Sequence, residues 1–450
     1  MPGVLGPDEI REVANAALEV PGADAIEVLV IHEWSGLTRF AESAIHQSTA
    51  REDTAIRVRA IAGGQVGIAA TNDLSKDGAA NATRNALELA RVAAPDPMFP
   101  GITPPTEVPA RPGGFDETTA STTPAERAER VAELIGRCEP GFHAAGAFET
   151  SASEVAVVNT DGHFCYAPST QTTLTTVISG GNGGTGFAEV TAAGVSEVDA
   201  AAVGDRAFTK ARDSQDRQGL EPGRYEVVLE PAAVATLLGF LAYLGFGGRS
   251  IAEGRSCFAG RMGQKLMSEH VSIHDDGLSP LTIALPFDFE GTPKRRVDLV
   301  ENGVVRGGVH DRRSAKDAGT ESTGHALPPP NPEGPFPLNL FLEPGDASMQ
   351  DLIGATERGL LVTRFHYSNV VHPLESVITG MTRDGTWLIE NGEIKQPLKN
   401  LRFTQSIEEA LRDVEQVGSD TELASEFFFS SSRVPALRIS SFQFTGKSDH

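Results

Sequence analysis

Cysteine is scarce in this chain of 450 residues, which contains only Cys138, Cys165 and Cys257. No two of them have the CxxC spacing of a zinc knuckle or a redox pair, and the set does not indicate a disulfide framework. The sequence therefore predicts a protein of a reducing compartment, the cytoplasm, that folds on buried apolar side chains.

Positive charge is also in short supply, with 38 Lys and Arg against 61 Asp and Glu and a formal net charge of −23. The longest basic runs are Lys294–Arg296 and Arg312–Arg313. Nucleic-acid affinity comes mainly from basic side chains that neutralise phosphates. We therefore expect no nucleic-acid partner.

Long hydrophobic runs are missing as well. The longest candidate, residues 232–246, falls short of the ~18 to 20 apolar residues that a membrane-spanning helix needs. The first residues, MPGVLGPDEIREV, lack the basic and apolar regions of a secretory signal. We expect neither a membrane partner nor export.

Helical and strand periodicities together predict an α+β fold with several units. Residues 1–94 read as an N-terminal unit of helix, antiparallel meander and helix, with strands predicted at 25–32 and 37–41 and a hairpin turn at Gly63-Gly64. Residues 95–122 read as a proline-rich linker. Residues 123–218 read as a second βα-rich unit. Residues 224–446 read as a large β-rich C-terminal domain that contains few helices, with a hairpin signal at Asn391-Gly392.

A glycine tract, SGGNGGTG at residues 179–186, follows a strand-like run at residues 163–176. It lacks the lysine and Ser/Thr of a P-loop and does not connect a strand to a helix. We therefore interpret it as a flexible hairpin, or as backbone that passes close to another group, in preference to a phosphate-binding loop.

The stretch at residues 224–266 begins with a strand and continues into the most apolar helical segment of the chain. Pro231 stands where a helix begins, and residues 232–244 contain no helix breaker except Gly239. Leucine and aromatic side chains cover nearly every face, so we expect the helix to be buried all round. Its only ionisable group is the Tyr243 hydroxyl.

Two polar groups are candidates for binding. On a helix, His270 and His274, followed by Asp275, would share a face and could bind zinc. The residues between the histidines alternate as in a strand, however, where the two side chains are too far apart to share an ion, so the pattern argues against a metal site. His366, Asn369 and His372, with Glu375 nearby, form either a binding loop or a polar turn. The sequence contains no GxSxG or other defensible nucleophile motif.

Three separated blocks carry a resemblance to a known family. They lie at residues 224–266, 307–326 and 376–400, and include Phe258-Ala259-Gly260, STGHA at 322–326 and IENGEI at 389–394. In type and order these blocks resemble the TldD/TldE (PmbA, "modulator of DNA gyrase") family of peptidases, and the resemblance extends over essentially the whole chain.

The resemblance implies a zinc site that this chain lacks. Family members of the TldD kind carry HExxxH on the helix after the first strand of the domain, with a cysteine near the C-terminus. Counted without gaps, the three motif positions fall on Gly239, Phe240 and Leu244. Residues 419–433 contain no cysteine, and the equivalent position lies at about Thr421.

Without HExxxH and the C-terminal cysteine, the chain resembles the TldE/PmbA kind of subunit. This resemblance implies a non-catalytic cytoplasmic chain without a cofactor. The expected partner is a TldD-like subunit that bears the zinc, in a heterodimer that degrades extended or unfolded peptides. Two alternatives stay open: a stand-alone metallopeptidase that uses a displaced site among the histidines above, and a homodimeric peptide-binding protein.

Overall fold

The computed structural model describes residues 4–111, 113–283, 285–425 and 431–448. Residues 1–3 of the predicted N-terminal unit, residue 112 of the predicted linker, and residues 284 and 426–430 of the predicted C-terminal domain lie outside the described residues.

The helices within these ranges are mostly short and connect longer strands. They are α1 (Pro7–Leu18), α2 (Lys76–Val92), α3 (Glu117–Ala120), α4 (Pro124–Ile135), α5 (Ala200–Asp213), α6 (Pro231–Gly245), α7 (Gly248–Ala252), α8 (Arg312–Ala318), α9 (Met349–Gly354) and α10 (Ile407–Arg412).

The strands include several of unusual length. They are β1 (Ala25–Ala41), β2 (Ala44–Ala62), β3 (Gln65–Thr71), β4 (Phe142–Asn159), β5 (Phe164–Gly180), β6 (Thr185–Ala192), β7 (Gly223–Leu229), β8 (Ile273–Asp275), β9 (Val297–Glu301), β10 (Val304–Val305), β11 (Asn339–Leu342), β12 (Arg358–His372), β13 (Val377–Glu390), β14 (Glu393–Pro397), β15 (Leu401–Ser406), β16 (Val414–Ser425) and β17 (Ser431–Lys447).

The N-terminal half is organised around one antiparallel sheet with the order β3-β2-β1-β4-β5-β6. Strand β1 pairs with β4 from Glu27 opposite Asn159 to Phe40 opposite Gly146, so the two predicted N-terminal units share this sheet. Helices α1 and α2 cover one half of the sheet, and α4 and α5 cover the other. Each pair buries its apolar stripe against the strands.

The C-terminal half is organised around an eleven-stranded mixed sheet. Along its path, β17, β15, β13, β12 and β7 are successive neighbours, and β7 pairs again with β17. These five strands therefore form a closed ring. Helix α6 packs against β12, β16 and β17, within the largest cluster of buried apolar side chains.

The predicted α+β class is confirmed, with a β-rich C-terminal half that follows helices and an antiparallel meander. Local periodicity divided β1 into two predicted strands, at 25–32 and 37–41, whereas the structure has one. Glu33, Trp34 and Ser35, which lie between the two predicted strands, stay in β1 because β2 and β4 pair with them from both sides.

The glycine tract forms the turn between β5 and β6, as the hairpin interpretation predicted. Within the described residues, no helix combines the length and the apolar composition that crossing a membrane requires.

Candidate functional site

Helix α6 follows directly from β7, a strand with neighbours on both sides. β7 pairs in parallel with β12 and in antiparallel with β17. Glu230 takes the N-cap position without a side-chain cap, and Pro231 occupies the first turn, where its missing N–H costs no hydrogen bond. The strand and the proline together fix where the helix begins.

The three motif positions of α6 face the protein interior. Gly239 is buried, Phe240 is 9% exposed and Leu244 is 4% exposed. Glycine has no side chain, and phenylalanine and leucine offer neither a lone pair for a metal nor a transferable proton. These residues therefore do not fit a zinc ion.

The end of α6 is locked against the loop that follows α7. The backbone N–H of Cys257 donates to the Leu244 carbonyl at 3.0 Å, and the Ser256 hydroxyl donates to the Gly245 carbonyl at 2.6 Å. A Cβ at position 245 would lie 2.6 Å from the Phe258 ring, so glycine is required there. This packing is that of a core element.

A groove with a volume of about 350 Å³ opens beside the C-terminal end of α6; we call it the α6 groove. Leu244 and Tyr243 line it on the helix side, and Pro373 and Leu374 of the β12–β13 turn line it on the other. Tyr243 is 49% exposed and Leu374 50% exposed. Exposed apolar side chains that line one groove indicate a surface that binds another molecule.

The histidines of the second candidate group lie on β12, not in a loop. His366 pairs opposite Met381, Asn369 opposite Thr379 and His372 opposite Val377, and the turn to β13 comes only after them, at Pro373–Glu375. Burial, together with the charges of two nearby arginines, lowers the pKa of His366. Because β12 stays paired with β13, this strand continues beyond the residues that alternate between apolar and polar.

The structure gives His270, His274 and Asp275 separate surroundings. His270 is exposed in a turn before β8, whereas the His274 ring stacks on Phe341 with centroids 4.8 Å apart. Asp275, the next residue in β8, points to the opposite face and pairs with His325 at 2.7 Å. Among the described residues, no three His, Cys, Asp or Glu side chains are grouped to hold a metal ion.

A buried charged cluster, which the sequence reasoning missed, joins the two halves of the molecule. One guanidinium nitrogen of Arg59 lies 2.8 Å from Glu27, both in the N-terminal sheet, and 3.2 Å from Glu290 of the C-terminal half. Burial raises the pKa of Glu27 to about 7. It also raises the pKa of Asp288, near Glu290, to about 7.

Asp275 and Lys294 extend the same buried region. Burial opposes the ionisation of Asp275, but His325 and Lys294 overcome it and hold its pKa at about 2. Burial lowers the pKa of Lys294 and of His325, and the low pKa of Asp275 keeps its carboxylate ionised. The STGHA block, which contains His325, was the one sequence signal for this region.

Comparison with family models places two parts of the chain in one family. Residues 222–446 match the model described as PmbA/TldA metallopeptidase C-terminal domain, and residues 26–90 match PmbA/TldA metallopeptidase domain 1.

Curated relatives agree with these matches. A protein named "Metalloprotease" from Methanothermobacter thermautotrophicus is 29% identical over 211 residues, which is 46% of this chain and 45% of that protein. The match therefore spans about half the length of that relative. "Metalloprotease PmbA" of Escherichia coli O157:H7 is 24% identical over 469 residues, 96% of each chain.

Solved structures share the fold. The crystal structure of TldE from Thermococcus kodakarensis has a TM-score of 0.87 at 21% identity, covering 98% of this chain and 99% of that one. A putative modulator of a DNA gyrase from Thermotoga maritima has a TM-score of 0.86 at 18% identity, covering 97% of this chain and 100% of that one.

Proposed function

The chain belongs to the PmbA/TldD family of metallopeptidases, and from that premise we propose that it is a non-catalytic, TldE/PmbA-like subunit. In this role it assembles with a zinc-bearing, TldD-like subunit, and the complex hydrolyses extended or unfolded peptides. The observation that carries the proposal is the chemistry of α6, where Gly239, Phe240 and Leu244 occupy the motif positions.

Peptide hydrolysis by a metal needs ligands that hold the ion and a base that takes a proton from water. The three residues on α6 supply neither, and their burial keeps water away from that part of the helix. The chain's own contribution is then to bind, not to catalyse.

The α6 groove and its rim supply a surface for the partner. Besides Tyr243 and Leu374 of the groove, Tyr367 and Val371 are more than half exposed on β12, the strand that leads into the groove-lining turn at Pro373 and Leu374. Exposed aromatic and aliphatic side chains are typical of the apolar part of a protein interface. We assign this surface to the TldD-like subunit.

An open sheet edge offers a place for an extended peptide. Strand β3 pairs with β2 only over residues 56–62, so the first part of β2, from Ala44 to Asp53, has β1 on one side alone within the described residues. Every residue of that segment is exposed. Its free backbone N–H and C=O groups can pair with a peptide whatever the peptide's side chains are.

Co-purification with a family member from the same organism that has HExxxH intact tests the proposal. We expect a heterodimer at micromolar concentration, and peptide cleavage by the pair that exceeds cleavage by either chain alone. A chelator should abolish that cleavage. If the partner is fully active alone and this chain stays separate, the proposal is wrong.

Zinc analysis of this chain alone distinguishes the stand-alone peptidase. Stoichiometric zinc together with chelator-sensitive cleavage by the isolated chain would contradict the non-catalytic role. A native mass corresponding to two copies, unchanged when the partner is added, would instead indicate the homodimer.

A further inference from the structure

A polar cavity of about 450 Å³ lies where the glycine tract meets the C-terminal half; we call it the tract cavity. Asn182 and Gly183 of the β5–β6 turn line one side, Asp216 and Arg217 after α5 line another, and Lys399 before β15 lines a third. None of its lining residues belongs to α6 or to the α6 groove. It is therefore separate from the surface discussed above.

Backbone hydrogen bonds hold the three walls together. The N–H of Asp216 donates to the Asn182 carbonyl at 3.2 Å. The N–H of Gln218 donates to the Pro397 carbonyl, and the N–H of Lys399 donates back to the Gln218 carbonyl, both at 2.9 Å. The positions of the lining side chains are thus fixed by three separate parts of the chain.

Two cations face this cavity without a partner. Within the described ranges, neither the Arg217 guanidinium nor the Lys399 ammonium forms a hydrogen bond or an ion pair. The carboxylate that acts on the pKa of Arg217 is that of Asp384, and Arg364 already pairs with it. In a chain with a net charge of −23, two neighbouring unpaired cations leave a local excess of positive charge.

Glycine at position 183 lets the guanidinium lie against the backbone. Gly183 has φ +76°, and a Cβ there would lie 3.2 Å from an Arg217 terminal nitrogen. A larger residue would be strained in this conformation and would crowd Arg217. The tract lacks a P-loop lysine, but folding brings Arg217 and Lys399 to it. In the sequence these two residues lie 34 and 216 positions after Gly183.

We propose that the tract cavity is a binding site for an oxyanion, the carboxylate or phosphate group of a small ligand. Arginine presents a fork of N–H donors that matches two oxygens of such a group, and lysine adds a second charge-assisted donor. Asp216 is the acidic residue of the lining, and its carboxylate opposes the anion. The proposal therefore predicts that removing the charge of Arg217 and removing that of the adjacent Asp216 change the affinity for an oxyanion in opposite directions.

Titration calorimetry on the full chain tests the site with three probes. These are inorganic phosphate, N-acetyl-trialanine with a free carboxylate, and the same peptide as its C-terminal amide. Arg217→Gln and Lys399→Gln should each weaken binding by about tenfold. Asp216→Asn should strengthen it by roughly two- to fivefold, because it removes the carboxylate that opposes the anion. Asp216 has a positive φ of 55°, which asparagine also tolerates, so the variant should fold.

Arg91→Gln is the matched control, since it removes the same charge from an exposed arginine at the end of α2. It should leave the affinity unchanged, and added salt should weaken binding to the unmodified chain. Preference for the acid over the amide would identify a carboxylate ligand, whereas binding of phosphate alone would identify a phosphate ligand. Both results support the site.

The inference is overturned if no probe binds at about 10 mM, or if the cavity variants change the affinity no more than Arg91→Gln does. Thermal melting shows whether each variant is folded. Should Arg217→Gln fail to fold, Asp216→Asn decides the matter, because tighter binding in that variant cannot arise from lost structure.

Discussion

Nε2 of His325 lies 2.7 Å from Oδ1 of Asp275, and neither side chain is exposed to solvent. The other carboxylate oxygen of Asp275 accepts the backbone N–H of Asn339 at 2.7 Å, so the carboxylate connects the STGHA block to β8 and β11. A buried ion whose partner is removed is strongly destabilising, because the remaining charge cannot be hydrated.

We predict that Asp275→Asn lowers the free energy of unfolding by about 3 to 5 kcal/mol, since it removes the carboxylate that pairs with His325 and the stronger of the two carboxylate influences on the buried Lys294. Denaturant unfolding measures this change. Asp346→Asn, at an exposed position, should alter the free energy by less than about 0.5 kcal/mol. Similar small losses in both variants would show that Asp275 is not the counter-charge.

The buried Glu27 carboxyl predicts a pH dependence of stability. Burial raises its pKa from the ordinary 4.5 to about 7, so between these pH values the folded chain holds a proton that the unfolded chain releases. This contribution to stability is complete below pH 4.5 and is lost as the pH rises through 7. Glu27→Gln should flatten the decline by up to about 1.4 kcal/mol per pH unit.

Unfolding free energies measured from pH 5 to pH 8 test this expectation. The control is Glu88→Gln, which changes an exposed carboxylate of α2 and should leave the slope as it is. An unchanged slope in the Glu27 variant would mean that the carboxyl titrates normally in the folded chain.

Substitutions on α6 separate a structural role from a catalytic one. Leu244→Ala should destabilise the chain by about 2 to 5 kcal/mol, because it leaves a cavity in the largest core. Leu244→Met keeps the volume and should cost less than about 1.5 kcal/mol. With the partner present, peptide cleavage by the Met variant should equal that of the unmodified complex.

A fall of the cleavage rate constant in a stable Leu244→Met complex would contradict the proposal that these α6 positions take no part in the chemistry. The rate should be measured at saturating peptide, so that a change in substrate binding is not mistaken for a change in catalysis.

The exposed apolar side chains of the α6 groove and of the adjoining strand β12 predict where the partner binds. Val371 is 55% exposed on β12, and Val371→Glu should weaken the heterodimer by about tenfold or more, because a carboxylate would be buried in an apolar interface. Sedimentation or native mass measurement reports the dissociation constant. Val92→Glu introduces the same group at an 83% exposed position on α2 and should have no effect.

Equal dissociation constants for the two valine variants would place the interface elsewhere on the chain. The open edge of β2 would then be the next surface to test.

Much of the fold could be predicted from local pattern. Proline at position 231 and the apolar run behind it predicted both the start and the burial of α6. Turn signals such as Gly63-Gly64 and Asn391-Gly392 lie at the hairpins β2–β3 and β13–β14. Such turns require positive φ, which few residue types adopt, so the sequence marks them directly.

Pairing between distant strands could not be predicted in the same way. The alternation in β1 and β4 says that each is a strand, but not that Val30 lies opposite Ala156. For the same reason, the polar residues at the end of β12 predict a loop or turn from the sequence, although in the structure they pair with β13. Sheet partners are chosen by packing across the whole molecule.

By itself, the sequence determined that the chain is acidic, that α6 is an apolar core helix, and that Gly239, Phe240 and Leu244 cannot bind a metal, because these follow from the chemistry of the side chains. The tertiary structure decided which distant groups meet. It paired Asp275 with His325 and brought Arg217 and Lys399 to the glycine tract, since contacts between separated segments depend on the path of the chain and not on local periodicity.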